Sequence, residues 1–100
     1  MRPVFLELTF NASDCAEAGL NSRDEIEDGL EDKMRESGLG KVSGGGGGLG
    51  KYNVDVDIFD EEKLQEALSL IRGFLISLNV PRSSKIVRHK PERQDLSVYL

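Results

Sequence analysis

Hydrophobic and polar residues alternate in two stretches of the sequence, and each stretch predicts a β-strand with one buried face. In residues 4–10 the apolar positions on one side are Val4, Leu6, Leu8 and Phe10. In residues 51–59 the corresponding positions are Tyr52, Val54, Val56 and Ile58. We therefore expect these eight side chains to supply the core side of a single β-sheet.

A first amphipathic helix is predicted to begin at Arg23, because Ser22 and Glu25 have the spacing of a capping box. It is predicted to end before Gly38, a residue type that favours the position just beyond a helix. Gly29 within the helix is expected to permit close approach to the sheet. The apolar stripe of this helix consists of Ile26, Leu30 and Met34.

A second, more apolar helix follows the predicted cap residue Asp60 and ends near Asn79. Its wide hydrophobic face predicts that it is the main cover of the sheet. The residues that form this face are Leu64, Ala67, Leu68, Ile71, Leu75 and Leu78.

The remaining segments are short. Residues 11–21 are predicted to form a loop, and residues 41–43 a short strand at most. The glycine run at 44–48 is predicted to be a mobile hairpin loop leading into the strand at 51–59. Residues 84–89 predict a further strand, and alternation at 96–100 predicts a last short one.

The resulting order, β-α-β-β-α-β with an extra C-terminal strand, resembles the ferredoxin-like α+β sandwich over nearly the whole chain. The resemblance implies a single domain, residues 1–100, with an antiparallel sheet and two helices on one of its faces. It also implies that strands 4–10 and 51–59 lie side by side in the centre. The other face of the sheet is then open to a ligand or a partner.

Composition fits one globular domain, since the 100 residues are 38% hydrophobic and 31% charged. No apolar run approaches the roughly 20 residues of a membrane span, and the N-terminus lacks the pattern of a signal peptide. The single cysteine, Cys15, agrees with a reducing compartment. We therefore expect a cytoplasmic protein with no membrane partner.

Charge is distributed unevenly around the net value of −5. Residues 1–62 have a balance of −9 and residues 63–100 a balance of +4. An acidic half argues against nucleic-acid binding, which needs a basic surface. It favours a basic protein partner or head-to-tail self-association, unless the two halves neutralise each other within the fold.

The glycine-rich stretch matches phosphate-binding spacings only in part. Gly45 and Gly50-Lys51 have the spacing of a P-loop, but Tyr52 replaces the Ser or Thr that would hold magnesium. A strand rather than a helix follows, so no helix N-terminus lies under a phosphate. The stretch stays a candidate ligand loop, consisting of Gly44, Gly45, Gly46, Gly47, Gly48, Gly50 and Lys51.

Three carboxylates, Glu7, Asp55 and Asp57, are expected on the open face of the sheet. They would repel the phosphates that an RNA-recognition strand binds at the same place. They could receive basic side chains of a partner or bind a divalent cation. The alternative is a solvated face, or ion pairs with Lys85, Arg88 or Lys90. Two aromatic residues on the same side favour an interface, which gives the candidates Phe5, Glu7, Asp55, Asp57 and Phe59.

The sequence contains few residues that could act as a catalytic nucleophile or base. Cys15 and His89 are the single copies of their residue types, and we predict no catalytic residues, no metal site and no cofactor. The sequence thus predicts a non-enzymatic protein–protein interaction module that binds a basic protein or forms a homodimer through its open face. The alternative is a small-ligand or cation sensor that uses the glycine loop and adjacent carboxylates.

Overall fold

The structure of the protein is a computed structural model, which describes residues 2–20, 23–89 and 93–99. A five-stranded antiparallel sheet lies at the centre of the fold. The strands are β1 (Val4–Asn11), β2 (Gly40–Gly48), β3 (Lys51–Ile58), β4 (Lys85–Arg88) and β5 (Gln94–Ser97). They lie in the order β2-β3-β1-β4-β5. The helices in the described ranges are α1 (Ala12–Glu17), α2 (Arg23–Ser37) and α3 (Leu64–Ser77). The chain is therefore an α+β protein, consistent with a two-layer sandwich.

The two alternating stretches are neighbours in the sheet, as predicted. β1 and β3 pair antiparallel, with Val4 opposite Ile58 and Phe10 opposite Tyr52. Every second side chain of β1 and β3 joins the apolar stripes of α2 and α3 in one core. The predicted core positions are buried except for Tyr52 and Leu78, which are half-buried.

Both long helices begin and end close to their predicted limits. α2 begins at Arg23, although the proposed capping residue Ser22 lies outside the described residues. Gly38 follows α2 with φ +71°, and its N–H donates to the Met34 carbonyl oxygen. Before α3, the Asp60 carboxylate accepts from the Glu62 N–H and opens a short 3₁₀ turn.

Gly29 was predicted to permit close approach of α2 to the sheet, but the element that it allows to approach is helix α3. A Cβ added at Gly29 would lie 2.2 Å from the Phe74 Cζ atom. Phe74 belongs to α3, so the missing side chain allows the two helices to pack closely rather than α2 to approach the sheet.

The prediction of a loop over residues 11–21 is wrong in its first half. Residues 12–17 form α1, because the Asn11 side chain accepts a hydrogen bond from the Asp14 N–H at 2.9 Å. Cys15 anchors this short helix in the core. Asn21, the last residue of the predicted loop, lies outside the described residues.

The prediction of a mobile hairpin loop at residues 44–48 is also wrong, because all five glycines continue strand β2. They pair with β3 as far as Gly48 opposite Lys51. Only Leu49 and Gly50 form the turn, with φ of 53° and 78°. This left-handed geometry is that of a tight two-residue hairpin turn.

The last strand begins earlier than predicted. β5 covers Gln94–Ser97 rather than residues 96–100, and Leu100 lies outside the described residues.

None of the helices in the described ranges has the length and hydrophobicity that a membrane span requires.

Candidate functional site: the open face of the sheet and the edge of β2

The sheet has one face that the helices do not cover, and we call it the open face. Glu7 on β1 stands directly opposite Asp55 on β3, and Phe5 stands opposite Asp57. All four side chains are half-buried. The structure thus brings together four of the five predicted interface residues.

Glu7 contacts His89, the residue that directly follows β4, at one side of this group. The His89 Nε2 atom lies 3.0 Å from Glu7 Oε1. The rings of Phe5 and His89 are tilted by 43°, with centroids 5.6 Å apart. The His89 N–H also donates to the Phe5 carbonyl oxygen at 3.0 Å. His89 was not among the predicted interface residues, and it contributes a ring and a polar edge to the open face.

Asp55 and Asp57 have no basic side chain within 4.0 Å among the residues that the structure describes. Asp55 Oδ1 accepts a 3.2 Å hydrogen bond from the Asn53 side-chain amide. The predicted alternative of an ion pair with Lys85 or Arg88 is not found, because Arg88 instead pairs with Glu61. Lys90, the third candidate, lies outside the described residues.

Phe59, the fifth predicted interface residue, lies elsewhere. Its side chain is 45% exposed and lines a groove between α2 and the edge strand β2. The groove has a volume of about 360 Å³ and a largely apolar lining. Its other lining residues are Glu31, Met34, Arg35, Gly38, Gly40, Lys41 and Val42.

The glycine run forms the edge of the sheet next to Asp55. One side of β2 pairs with β3, and no strand of the described chain pairs with its other side. Gly44 lies opposite Asp55, and Gly46 lies opposite Asn53. A Cβ at Gly44 would lie 3.8 Å from Asp55 Oδ2. A Cβ at Gly46 would lie 3.7 Å from Asn53 Oδ1.

These two glycines therefore create a gap on the open side of the edge strand. No side chain at position 44 or 46 stands between the sheet edge and the polar oxygens one strand further in. Sequence reasoning missed this edge, because the register shift between Val42 and Gly44 leaves no mark in the residue pattern. Five glycines also lack the side-chain alternation that identifies a strand.

The ligand-loop candidates do not form one site. Gly44–Gly48 belong to the edge strand, and Gly50 belongs to the hairpin turn. Lys51 instead lines a cavity of about 460 Å³. The cations that share this cavity come from three different segments and are Lys51, Lys85 and Arg93.

Cys15 and His89 are not brought together. Cys15 is fully buried in the core on the helix side, whereas His89 contacts Glu7 on the open face. Burial, with the Asp14 charge as a smaller cause, raises the pKa of the Cys15 thiol. A raised pKa disfavours the thiolate, which is the nucleophilic form of cysteine.

The three carboxylates of the open face do not form a metal centre. Among the described residues no group of three or more histidine, cysteine, aspartate or glutamate side chains is arranged to hold a metal ion.

Comparison with known proteins finds no matching family model, no matching curated protein and no matching solved structure.

Proposed function

We propose that this protein is a non-enzymatic interaction module that binds a basic protein partner through its open face. The observation that carries the proposal is the position of Asp55 and Asp57. Both carboxylates are half-buried on an uncovered sheet face, and no described basic side chain lies within 4.0 Å of either. Carboxylates in this position gain charge-assisted hydrogen bonds when lysine or arginine side chains arrive from a partner.

The neighbouring residues support a protein partner. The Phe5 ring lies beside these carboxylates together with the His89 ring. Aromatic residues are enriched at protein interfaces, where they supply apolar contact area. A face that combines half-buried aromatic rings with carboxylates that have no described basic partner within 4.0 Å suits a partner that offers both aliphatic chains and positive charge.

We also propose that the architecture is ferredoxin-like. Its support is that the strand order without β5 is β2-β3-β1-β4, with α2 following β1 and α3 following β3. The short helix α1 and the strand β5 are then additions to the basic arrangement. In this arrangement the helices cover one face and leave the other available.

A pull-down with paired charge reversals tests the proposed function. Asp55→Lys with Asp57→Lys reverses the charge at the two carboxylates on which the proposal rests. Glu62→Lys with Glu66→Lys is the matched control, since it changes net charge equally at two exposed positions on the helix side. We expect a partner identified with the wild type to bind the control and to be lost from the Asp55/Asp57 variant. Equal retention by both variants would exclude the open face.

Self-association is the second form of the proposal. Light scattering after size-exclusion chromatography measures it directly, and a strict monomer at high concentration would remove the homodimer. The cytoplasmic location of the protein stays a prediction.

A second candidate function is the binding of a small anion in the 460 Å³ cavity. Lys51, Lys85 and Arg93 line it together with the Thr9 and Ser83 hydroxyl groups, and the acidic residues Glu7 and Asp95 lie in the same lining, where Asp95 pairs with Arg93. A ligand that binds only the native state raises the unfolding temperature. Thermal shift with phosphate, nucleotides and carboxylates should show stabilisation that Lys51→Ala with Lys85→Ala removes. No shift with any of these anions would exclude the cavity.

A further inference from the structure

We propose that the partner segment is an extended basic strand, which adds to the free edge of β2 and extends the sheet. This inference rests on the proposed function and specifies how the partner binds. An edge strand exposes unpaired backbone N–H and C=O groups, which form a ready template for another strand. β2 (Gly40–Gly48) presents such an edge over nine residues.

Only the glycine half of the edge lacks side-chain protection against strand addition, because the first half contains the exposed Lys41 and the register shift between Val42 and Gly44. Natural edge strands are commonly blocked by charged side chains, proline or a covering loop. From Gly44 to Gly48 β2 has no side chain at all, and Gly45, Gly47 and Gly48 are exposed. An incoming backbone can therefore approach this half of the strand without displacing anything.

Charge complementarity identifies the occupant on the open side. Adjacent strands lie about 4.8 Å apart, so a lysine or arginine on an added strand opposite Gly44 faces the empty side-chain position. Asp55 Oδ2 lies 3.8 Å from that position. The long aliphatic stem of the basic residue crosses the gap, and its cationic group reaches the carboxylate. A residue with a side chain at position 44 would obstruct this path.

The helix side of the same edge is formed by α2 and an apolar groove. α2 lies along β2 and contains seven acidic and three basic residues. Glu31 of this helix lines the groove beside Met34, Val42 and Phe59. An added strand thus finds the Asp55 carboxylate on the open side and, on the helix side, an apolar groove of about 360 Å³ for an aliphatic side chain, which Arg35 and Lys41 line together with Glu31.

These features together specify an alternating segment, with basic side chains toward the open face and aliphatic side chains toward α2. A second copy of β2 that pairs through its glycine half fits less well, because the glycines bring no cation to Asp55. The partner is therefore a different protein with an exposed basic strand or an extended basic tail.

Fluorescence anisotropy with a nine-residue peptide, matched to the length of β2, tests the inference. The peptide alternates lysine with valine and is titrated with the full chain. Two further peptides contain N-methyl groups on alternate backbone amides, one in each of the two possible patterns. N-methylation removes backbone donors without changing the side chains or the charge. We expect the unmodified peptide to bind and one methylated pattern to lose at least about tenfold in affinity.

Gly44→Val with Gly46→Val provides the test on the protein side. A Cβ at either position makes only ordinary contacts, so the variant keeps its fold while filling the gap. Gly73→Ala is the control, because it adds a methyl group on α3 where no atom lies within 4 Å. We expect the valine variant to bind the peptide at least about tenfold more weakly than the wild type, and the alanine control to bind equally well.

The outcomes separate this inference from the function on which it rests. If Asp55→Lys with Asp57→Lys abolishes peptide binding but N-methylation and the valine variant do not weaken it, the open face binds the partner and strand addition is wrong. If the peptide does not bind the wild type, strand addition by a basic segment is also wrong. The pull-down then decides the proposed function independently.

Discussion

The Asp55 carboxylate lies 3.8 Å from the place where a Gly44 side chain would begin. Asp55 occupies the open face of an inner strand, and Gly44 occupies the edge strand directly opposite. The absence of a side chain at Gly44 makes the inner carboxylate accessible from the sheet edge. This relationship connects the acidic open face with the glycine run, two features that are separate in the sequence.

Neighbouring glycines of β2 should respond oppositely to the same substitution. Gly44→Val should raise the free energy of unfolding by roughly 0.5–1 kcal/mol, because valine favours strands and reduces the entropy of the unfolded chain. Gly45→Val should lower it by about 1–3 kcal/mol. A Cβ at Gly45 would lie 2.6 Å from the Asn53 carbonyl oxygen and from the Arg23 guanidinium. Urea denaturation measures both values, and an equal effect at the two positions would contradict the register of β2.

Asp55→Asn should stabilise the isolated protein. Glu7 and Asp55 are directly opposite in the sheet, and like charges in that position destabilise a strand pair by up to about 1 kcal/mol. The gain should decrease as salt increases, because screening weakens the repulsion that the substitution removes.

Asp32→Asn is the control for this effect. Asp32 forms a 2.6 Å ion pair with Arg35 on the exposed surface of α2. Neutralisation of Asp32 should therefore not stabilise the protein. Chemical denaturation at low and high salt distinguishes the two variants. A loss of stability in Asp55→Asn would mean that the hydrogen bond from the Asn53 amide to Asp55 Oδ1 stabilises the protein by more than the repulsion from Glu7 destabilises it.

Much of the fold follows from the sequence. Alternation in residues 4–10 and 51–59 predicts two paired strands, because a sheet with one buried face requires that period. The apolar spacing of α2 and α3 predicts their buried stripes for the same physical reason. These elements are dictated by which side chains enter the core.

The elements that sequence reasoning missed depend on other interactions. α1 begins because of a local hydrogen bond from the Asp14 N–H to the Asn11 side chain, and only Cys15 among its residues is fully buried. The glycine part of β2 is held by backbone hydrogen bonds to β3, which leave no pattern of side chains to read. The accessible edge could not be predicted for this reason, although Asp55 and Asp57 could.

Cys15 should be unreactive in the native protein. Its thiol is buried in the core, and its raised pKa further disfavours the thiolate. Alkylation by iodoacetamide at neutral pH should be at least about 100-fold slower than in urea, since reaction requires local opening. Mass spectrometry measures the rate, and rapid labelling without denaturant would contradict the position of α1.

Strand addition at β2 is tested most directly by amide hydrogen exchange across β2 in the presence of the lysine–valine peptide. Its N–H groups on the free edge are exposed to solvent in the isolated protein, and strand addition gives them carbonyl partners. We predict that saturating peptide slows exchange in Gly40–Gly48 and leaves β5 at the opposite edge unchanged. Saturable binding with no added protection in β2 would contradict strand addition at this edge.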